Sequence, residues 1–289
     1  MWFWISLLGA LFSAVSVILN KRLLKTINPI VLTWCLFTLN APLYLYFAFK
    51  DGLPRINNLF YVGVLGSSLF FVFSKNLSLH SFKHSLLSRI YPLTAFGPFF
   101  AYILALIFLG ERISVLSTIG MFIVIGGIYI LNIEQAKQGL LKPFKLIFQD
   151  KHAVIYLFAI VLSSFSAFFD KLGVINTYPI NASFTLFSEN LIMAPLITMY
   201  LFMKKYDWII EVKNNFLILL IASMVYGIMC ILIVTGFASA PLALAYVVKK
   251  FEILFVLFFS YILFKDKSPK NVWVASVLMI IGALFIRWG

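Results

Sequence analysis

Charge is what this chain of 289 residues most lacks: 11% of its residues are Asp, Glu, Lys or Arg, against roughly 25% in soluble globular domains. A soluble fold is thereby excluded. Acidic side chains are scarcer still, with 10 Asp and Glu against 23 Lys and Arg. Cysteine occurs twice, as Cys35 and Cys230. Each lies inside an apolar run, so no disulfide framework is expected and both read as buried free thiols. Neither CxxC nor HExxH occurs, no His and Cys stand at metal-ligand spacing, and no metal site is expected. With no P-loop and no GxGxxG, neither ATP hydrolysis nor dinucleotide binding is expected and no cofactor is implied. No nucleophile, base and orienting group can be assembled at a common depth, which argues against an enzyme. Work done by such a chain must draw on a gradient or on exchange.

What fills the space left by charge is hydrophobic: 63% of the residues, with a mean hydropathy of +1.02. A helix needs about 20 apolar residues to cross a ~30 Å hydrocarbon core. Ten runs of about that length occur, at 2–20, 29–49, 57–80, 85–108, 114–132, 153–170, 179–203, 215–237, 240–264 and 270–287. They are numbered here as spans 1 to 10. Span 1 carries no basic leader and no small-residue cleavage site, so it reads as a retained helix and not a signal peptide. The runs lack the alternation of β-barrel strands. The fold class is therefore an all-α integral membrane protein with ten transmembrane helices.

The net charge of +13 would point to nucleic acid in a soluble protein. Here most of the cations sit in the loops between spans 1–2, 3–4, 5–6, 7–8 and 9–10, so a lipid bilayer is the partner and no nucleic acid is expected. By the positive-inside rule those loops are cytoplasmic and both termini lie outside, in a multi-pass protein of the cytoplasmic (cell) membrane.

The chain also reads twice. Asn20-Lys21, ahead of Pro29, returns as Asp170-Lys171 ahead of Pro179, and Asn40 returns as Asn190, at an offset of 150. Further along, Tyr91 returns as Tyr246, Glu111-Arg112 as Asp266-Lys267 and Gly127 as Gly282, at an offset of 155. Residues 1–132 form one copy with spans 1–5, 133–152 a basic linker, and 153–289 the second copy with spans 6–10. An odd number of spans per copy makes the halves inverted about an axis in the membrane plane, an architecture of secondary transporters, whose sites lie between the halves. Gly120, Gly126, Gly127 and Gly282 are expected at close helix contacts. Glu111 and Asp266, just ahead of spans 5 and 10, read as helix-end caps.

Pro98, followed by Leu109-Gly110-Glu111-Arg112 and then Gly120 and Gly127, resembles the repeat signature of the drug/metabolite transporter superfamily, EamA type. The resemblance covers nearly the whole chain. Ile253 stands where the second copy would carry the proline, so span 9 is expected to be less kinked than its relatives. The resemblance implies a carrier in which spans 1–4 and 6–9 surround a central cavity and work by alternating access. Spans 5 and 10 would pack outside, leaving a monomer or a homodimer joined through them.

An ionisable side chain at span depth costs roughly 2.5 to 3.5 kcal/mol even on a lenient scale, so it normally faces water or a partner. Lys75, Arg89, Glu189, Lys249, Lys250 and Glu252 fall at such depth. The four cations outnumber the two carboxylates, which favours an anionic solute group. Lys249 and Lys250, about 100° apart on a continuous helix, should not share one narrow face. Glu252 has Lys249 three residues before it and could pair there. The resemblance adds that a Lys-Arg pair in span 9 holds phosphate in the sugar-phosphate and nucleotide-sugar branch, which also uses bases from spans 3 and 4. Lys249-Lys250 looks like that pair, with Lys75, His80 and Arg89 as the further bases.

Tyr91 and Tyr246 could donate to a polar solute from opposite sides. Asn40 and Asn190 could either bridge helices or line the cavity. His80 and His84 read as interfacial, with proton coupling open to His80, Glu189 or Glu252. Asn20, Lys21, Asp170 and Lys171 read as helix-end pairs or a gate at a cavity mouth. The function expected is thus secondary transport of a small polar organic metabolite, anionic or phosphorylated. Two alternatives stay open: transport of amino acids, amines or cationic drugs held by Glu189 and Glu252, and a non-transporting membrane subunit or flippase partner.

Overall fold

The computed structural model describes residues 1–85, 93–94, 96–131, 151–204, 207–264 and 270–289. The chain runs α1 (Trp2–Leu23), α2 (Pro29–Thr38), α3 (Ala41–Phe49), β1 (Arg55–Ile56), α4 (Asn58–His84), α5 (Phe96–Phe108) and α6 (Val115–Leu131). It continues with α7 (Lys151–Ile175), β2 (Thr177–Tyr178), α8 (Ala182–Met203), α9 (Trp208–Asn214), α10 (Phe216–Ser239), α11 (Leu242–Lys249), α12 (Glu252–Phe264) and α13 (Lys270–Trp288). Among the described residues six helical segments are long and apolar enough to cross a membrane: α1, α2 with α3, α4, α7, α8 and α10. α5, α6 and α13 are apolar but shorter. The protein is an all-α multi-pass membrane protein, with one two-stranded antiparallel ribbon in which Arg55 faces Tyr178 and Ile56 faces Thr177. Residues 133–150 of the basic linker, Arg89, Tyr91 and Asp266 lie outside the described residues, while Lys151 and His152 begin α7.

Side-chain chemistry sorts the helix faces in the sense a bilayer demands. On α4 the outward stripe is Leu59, Val62, Leu65, Leu69 and Phe73, whereas Ser67, Ser74 and Ser81 are buried. Hydroxyls turn inward because lipid offers them no hydrogen bond. Asparagine caps begin several helices: Asn28 for α2, Asn57 for α4 and Asn181 for α8 each accept from backbone N–H groups of the first turn, which would otherwise be orphaned.

Packing pairs α1 with α10, α4 with α7, and α6 with α13. Glycine sets the closest approaches. A Cβ on Gly63 would stand 2.4 Å from the Gly173 nitrogen, and one on Gly120 would stand 2.5 Å from the Gly282 carbonyl. Gly127 lies against the Ala275 carbonyl and Met279. The glycine face of α6 and α13 is therefore used within the chain, leaving Phe122, Trp273 and Val277 outward.

Two apolar runs are broken near their middles. Between α2 and α3 the cause is Pro42, which has no N–H and whose ring displaces the carbonyl four residues back. Between α11 and α12 no proline is present. Tight bonds from Lys250 N–H to the Val247 carbonyl and from Phe251 N–H to the Val248 carbonyl interrupt the helix at the lysine pair. The expectation of a less kinked span 9, which rested on the missing proline, is corrected by this break.

Candidate functional site: a lysine-rich intramembrane cavity

The break puts charge where the helices converge. A cavity of about 140 Å³ lies between α1, α4, α7, α10 and the α11–α12 junction. Among the described residues its charged lining consists of Lys75, Lys249, Lys250 and Glu252, three cations against one carboxylate. Asn20 and hydroxyls that include those of Ser13, Ser16, Ser74, Ser163, Tyr226 and Tyr246 add to its polar lining.

Glu252 is held by Lys250, whose Nζ lies 3.7 Å from Oε1, and by the Ser13 hydroxyl, which donates to Oε2. Its lysine partner is thus two residues away and not the one at i−3, because the helix is broken between them. Lys75 Nζ stands 4.4 Å from the centre of the Tyr226 ring. Lys249 and Lys250 stand 5.5 and 5.1 Å from that of Tyr246, distances at which a cation is drawn to a ring face. Among the described residues neither Lys75 nor Lys249 forms a salt bridge. The consecutive lysines do share one face, since a tight turn and not a continuous helix carries them. Tyr246 is fixed from the other side by Ser163, hydroxyl to hydroxyl at 3.2 Å.

Other expected site residues fall elsewhere. Asn40 and Asn190 do not line the cavity: the Asn190 amide donates to Asn40 Oδ1 at 2.8 Å, joining the α2–α3 break to α8. Glu189 is 1% exposed and is not part of the lining. Asp170 lies with it, its carboxylate accepting from Ser67. His80 is not in the lining either. It gathers with His84 and His152 in one cluster, ring centres 4.5 to 5.8 Å apart, which unites all 3 histidines of the chain. No group of described residues suits a metal. Cys35 and Cys230 are buried and unbridged.

The four helix-end residues separate as well. Asn20 lines the cavity, its amide donating to Ser16 at 3.4 Å. Lys21 Nζ donates to the Phe82 carbonyl at 2.8 Å. On the opposite side Lys171 pairs with Glu111 and donates to the Ala240 carbonyl at 2.5 Å. Glu111 Oε2 also accepts from Leu242 N–H at 2.7 Å. Glu111 was read as capping the helix that follows it; it caps α11, an element from the other half of the chain. This network ties α5, α7, α10 and α11 together on the side where β1 and β2 also pair.

Sequence reasoning missed the serines and Tyr226. The signal for the serines was a helical spacing of hydroxyls, at 13 and 16 on α1 and at 67, 74, 78 and 81 on α4, inside runs otherwise apolar.

Comparison with known proteins agrees with this architecture. Residues 1–133 match the model of the EamA-like transporter family, a family of the drug/metabolite transporter superfamily. No curated protein sequence matches the chain. A solved structure titled only as the crystal structure of a protein superposes with a TM-score of 0.72, over 98% of this chain and 96% of its own, at 13% identity. That likeness extends the shared fold beyond the family match to nearly the whole chain.

Proposed function

We propose that this protein is an alternating-access secondary carrier of a small organic anion, carboxylate or phosphate, bound between Lys75 and Lys249. The observation that carries the reading is the excess of positive charge in the cavity, where Glu252 is already held by Lys250 and Ser13 and where, among the described residues, Lys75 and Lys249 form no salt bridge. In a low-dielectric site such an excess attracts anions strongly. Flanking hydroxyls of Ser74, Ser163 and Tyr246 would receive or donate the remaining hydrogen bonds. The amine and cationic-drug reading fares worse, because the ring faces of Tyr226 and Tyr246 that would hold a cation are already occupied by lysines.

Two inverted five-helix copies are part of the proposal. Supporting it, the contact of Gly120 with Gly282 and that of Ala275 with Gly127 exchange under the offset of 155. The pairing of α1 with α10 and of α4 with α7 exchanges in the same way. The cavity reaches toward the C-terminal ends of α1 and α4 and the N-terminal end of α7, the side proposed as cytoplasmic, while the Glu111–Lys171 network closes the other. The outward faces of α6 and α13 would be the surface for a homodimer.

The experiment is thermal stabilisation of the purified protein across organic phosphates, carboxylates, amino acids and amines, repeated in Lys75→Gln and Lys249→Gln. Shifts confined to anions and lost in both variants support the reading. Shifts with amines that persist in both variants sink it.

A further inference from the structure

Asp170 and Glu189 stand apart from the lysine site and are unlike any other pair of carboxyl groups described here. Asp170 comes from α7 and Glu189 from α8, and their carboxyl groups lie within hydrogen-bonding reach of each other and of the Ser67 hydroxyl of α4. No lysine, arginine or histidine among the described residues forms a salt bridge with either. The groups that face them are Ser67 and Ser68 of α4, Ser166 of α7, Tyr44 of α3, Tyr226 of α10 and, at longer range, Lys249 of α11. Glu189 is 1% exposed, and its Oε1 has no hydrogen-bond partner. Two carboxylates in contact, out of water and with no cation in salt-bridge contact among the described residues, repel each other when both are ionised; one proton shared between them relieves the repulsion.

Their place in the repeat gives this proton a route. The offset of 150 carries Asn20 to Asp170 and Ser16 to Ser166. Asn20 and Ser16 line the present cavity, whereas Asp170 and Ser166 lie toward the end of α7 sealed by Lys171 and Glu111. In an inverted-repeat carrier the sealed copy becomes the cavity lining when access alternates. We propose that the Asp170–Glu189 pair is a proton-binding site, sealed in this state and opened to the side opposite the present cavity when the carrier switches. The access half of this inference rests on the alternating-access reading; the bound proton does not.

Infrared spectroscopy of the purified protein tests it, because the C=O stretch of a protonated carboxyl group is separate from amide and carboxylate bands. Wild-type protein should show such a band at neutral pH that Glu252→Gln keeps and the double variant Asp170→Asn/Glu189→Gln loses. Exchange of sodium for potassium should leave the band in place. In deuterated water the band should shift several-fold faster in Glu111→Gln, which loosens the seal, than in wild type. Absence of the band in wild type, its loss in Glu252→Gln alone, or its loss on adding sodium overturns the proton site. A deuterium exchange rate unaffected by Glu111→Gln overturns the access route. Failure of the anion panel in wild-type protein would instead sink the solute reading and leave the proton site standing.

Discussion

Asn40 and Asn190, 150 positions apart, are hydrogen-bonded to each other, amide to carbonyl oxygen, at 2.8 Å. In the proposed inverted repeat, equivalent residues of the two copies can touch only where the axis relating them passes. The contact would then mark that axis, at the α2–α3 break, where Asn40 meets α8. Hydrogen bonds between membrane helices contribute about 0.6 kcal/mol on average and at most about 1.7 kcal/mol. A double-mutant cycle of Asn40→Ala and Asn190→Ala, read by unfolding in detergent, should return a coupling in that range. A coupling of zero would remove the pair from the forces that join the halves.

Lys249→Gln and Lys250→Gln should behave differently although they are neighbours. Lys250 pairs with Glu252 at 3.7 Å, and breaking a buried pair by removing one partner costs about 3–5 kcal/mol. Lys250→Gln should therefore lower thermal stability markedly, and Lys250→Gln with Glu252→Gln should recover most of the loss. Lys249, without a carboxylate partner among the described residues, should leave stability almost unchanged when replaced. Its loss should weaken anion binding by about tenfold or more, since a hydrogen bond to a charged group contributes about 1.5–3 kcal/mol. Titration calorimetry with an anion found in the panel separates the two effects.

The all-α membrane architecture was legible in the sequence because it rests on length and apolarity. Lys75, Lys249, Lys250, Glu252 and Tyr246 were readable as cavity residues, since a charge at span depth needs a reason. The break at Lys250–Phe251 was not readable. It has no proline to announce it, and it alone brings consecutive lysines to one face. Pairings such as Glu111 with Lys171, or Asp170 with Glu189, join distant elements, and periodicity along one helix carries no information about them. The spacing that suggested Asp170 next to Lys171 as a unit was misleading, for adjacent helical residues point to different neighbours.

The Glu111–Lys171 pair should act as a latch. Its members are largely buried, with side chains 17% and 7% exposed, and it ties the α5–α6 turn to α7 while Glu111 caps α11. Glu111→Gln keeps a hydrogen-bond acceptor but removes the charge. A cysteine introduced at Ala243, buried near this seal, should become reactive toward an impermeant thiol reagent added on the latch side in that variant. In the otherwise unaltered protein it should react slowly. Equal reactivity in both would show that the seal depends on apolar packing alone.

Glycine at the α6–α13 contact offers a matched comparison inside one helix. A Cβ at Gly120 would meet the Gly282 carbonyl at 2.5 Å and the Ile286 nitrogen at 2.9 Å, backbone atoms that cannot swing aside, whereas a Cβ at Gly126 would meet nothing within 4 Å. Both residues lie in the same helical conformation, where alanine is intrinsically preferred to glycine by about 1 kcal/mol. Gly126→Ala should thus be neutral or slightly stabilising. Gly120→Ala should force the two helices apart, forfeit the close packing on which association in lipid depends, and lower the melting temperature of the purified protein. If both variants melt together, close packing of α6 on α13 contributes nothing to stability, and the inward-facing glycines of this pair need another explanation.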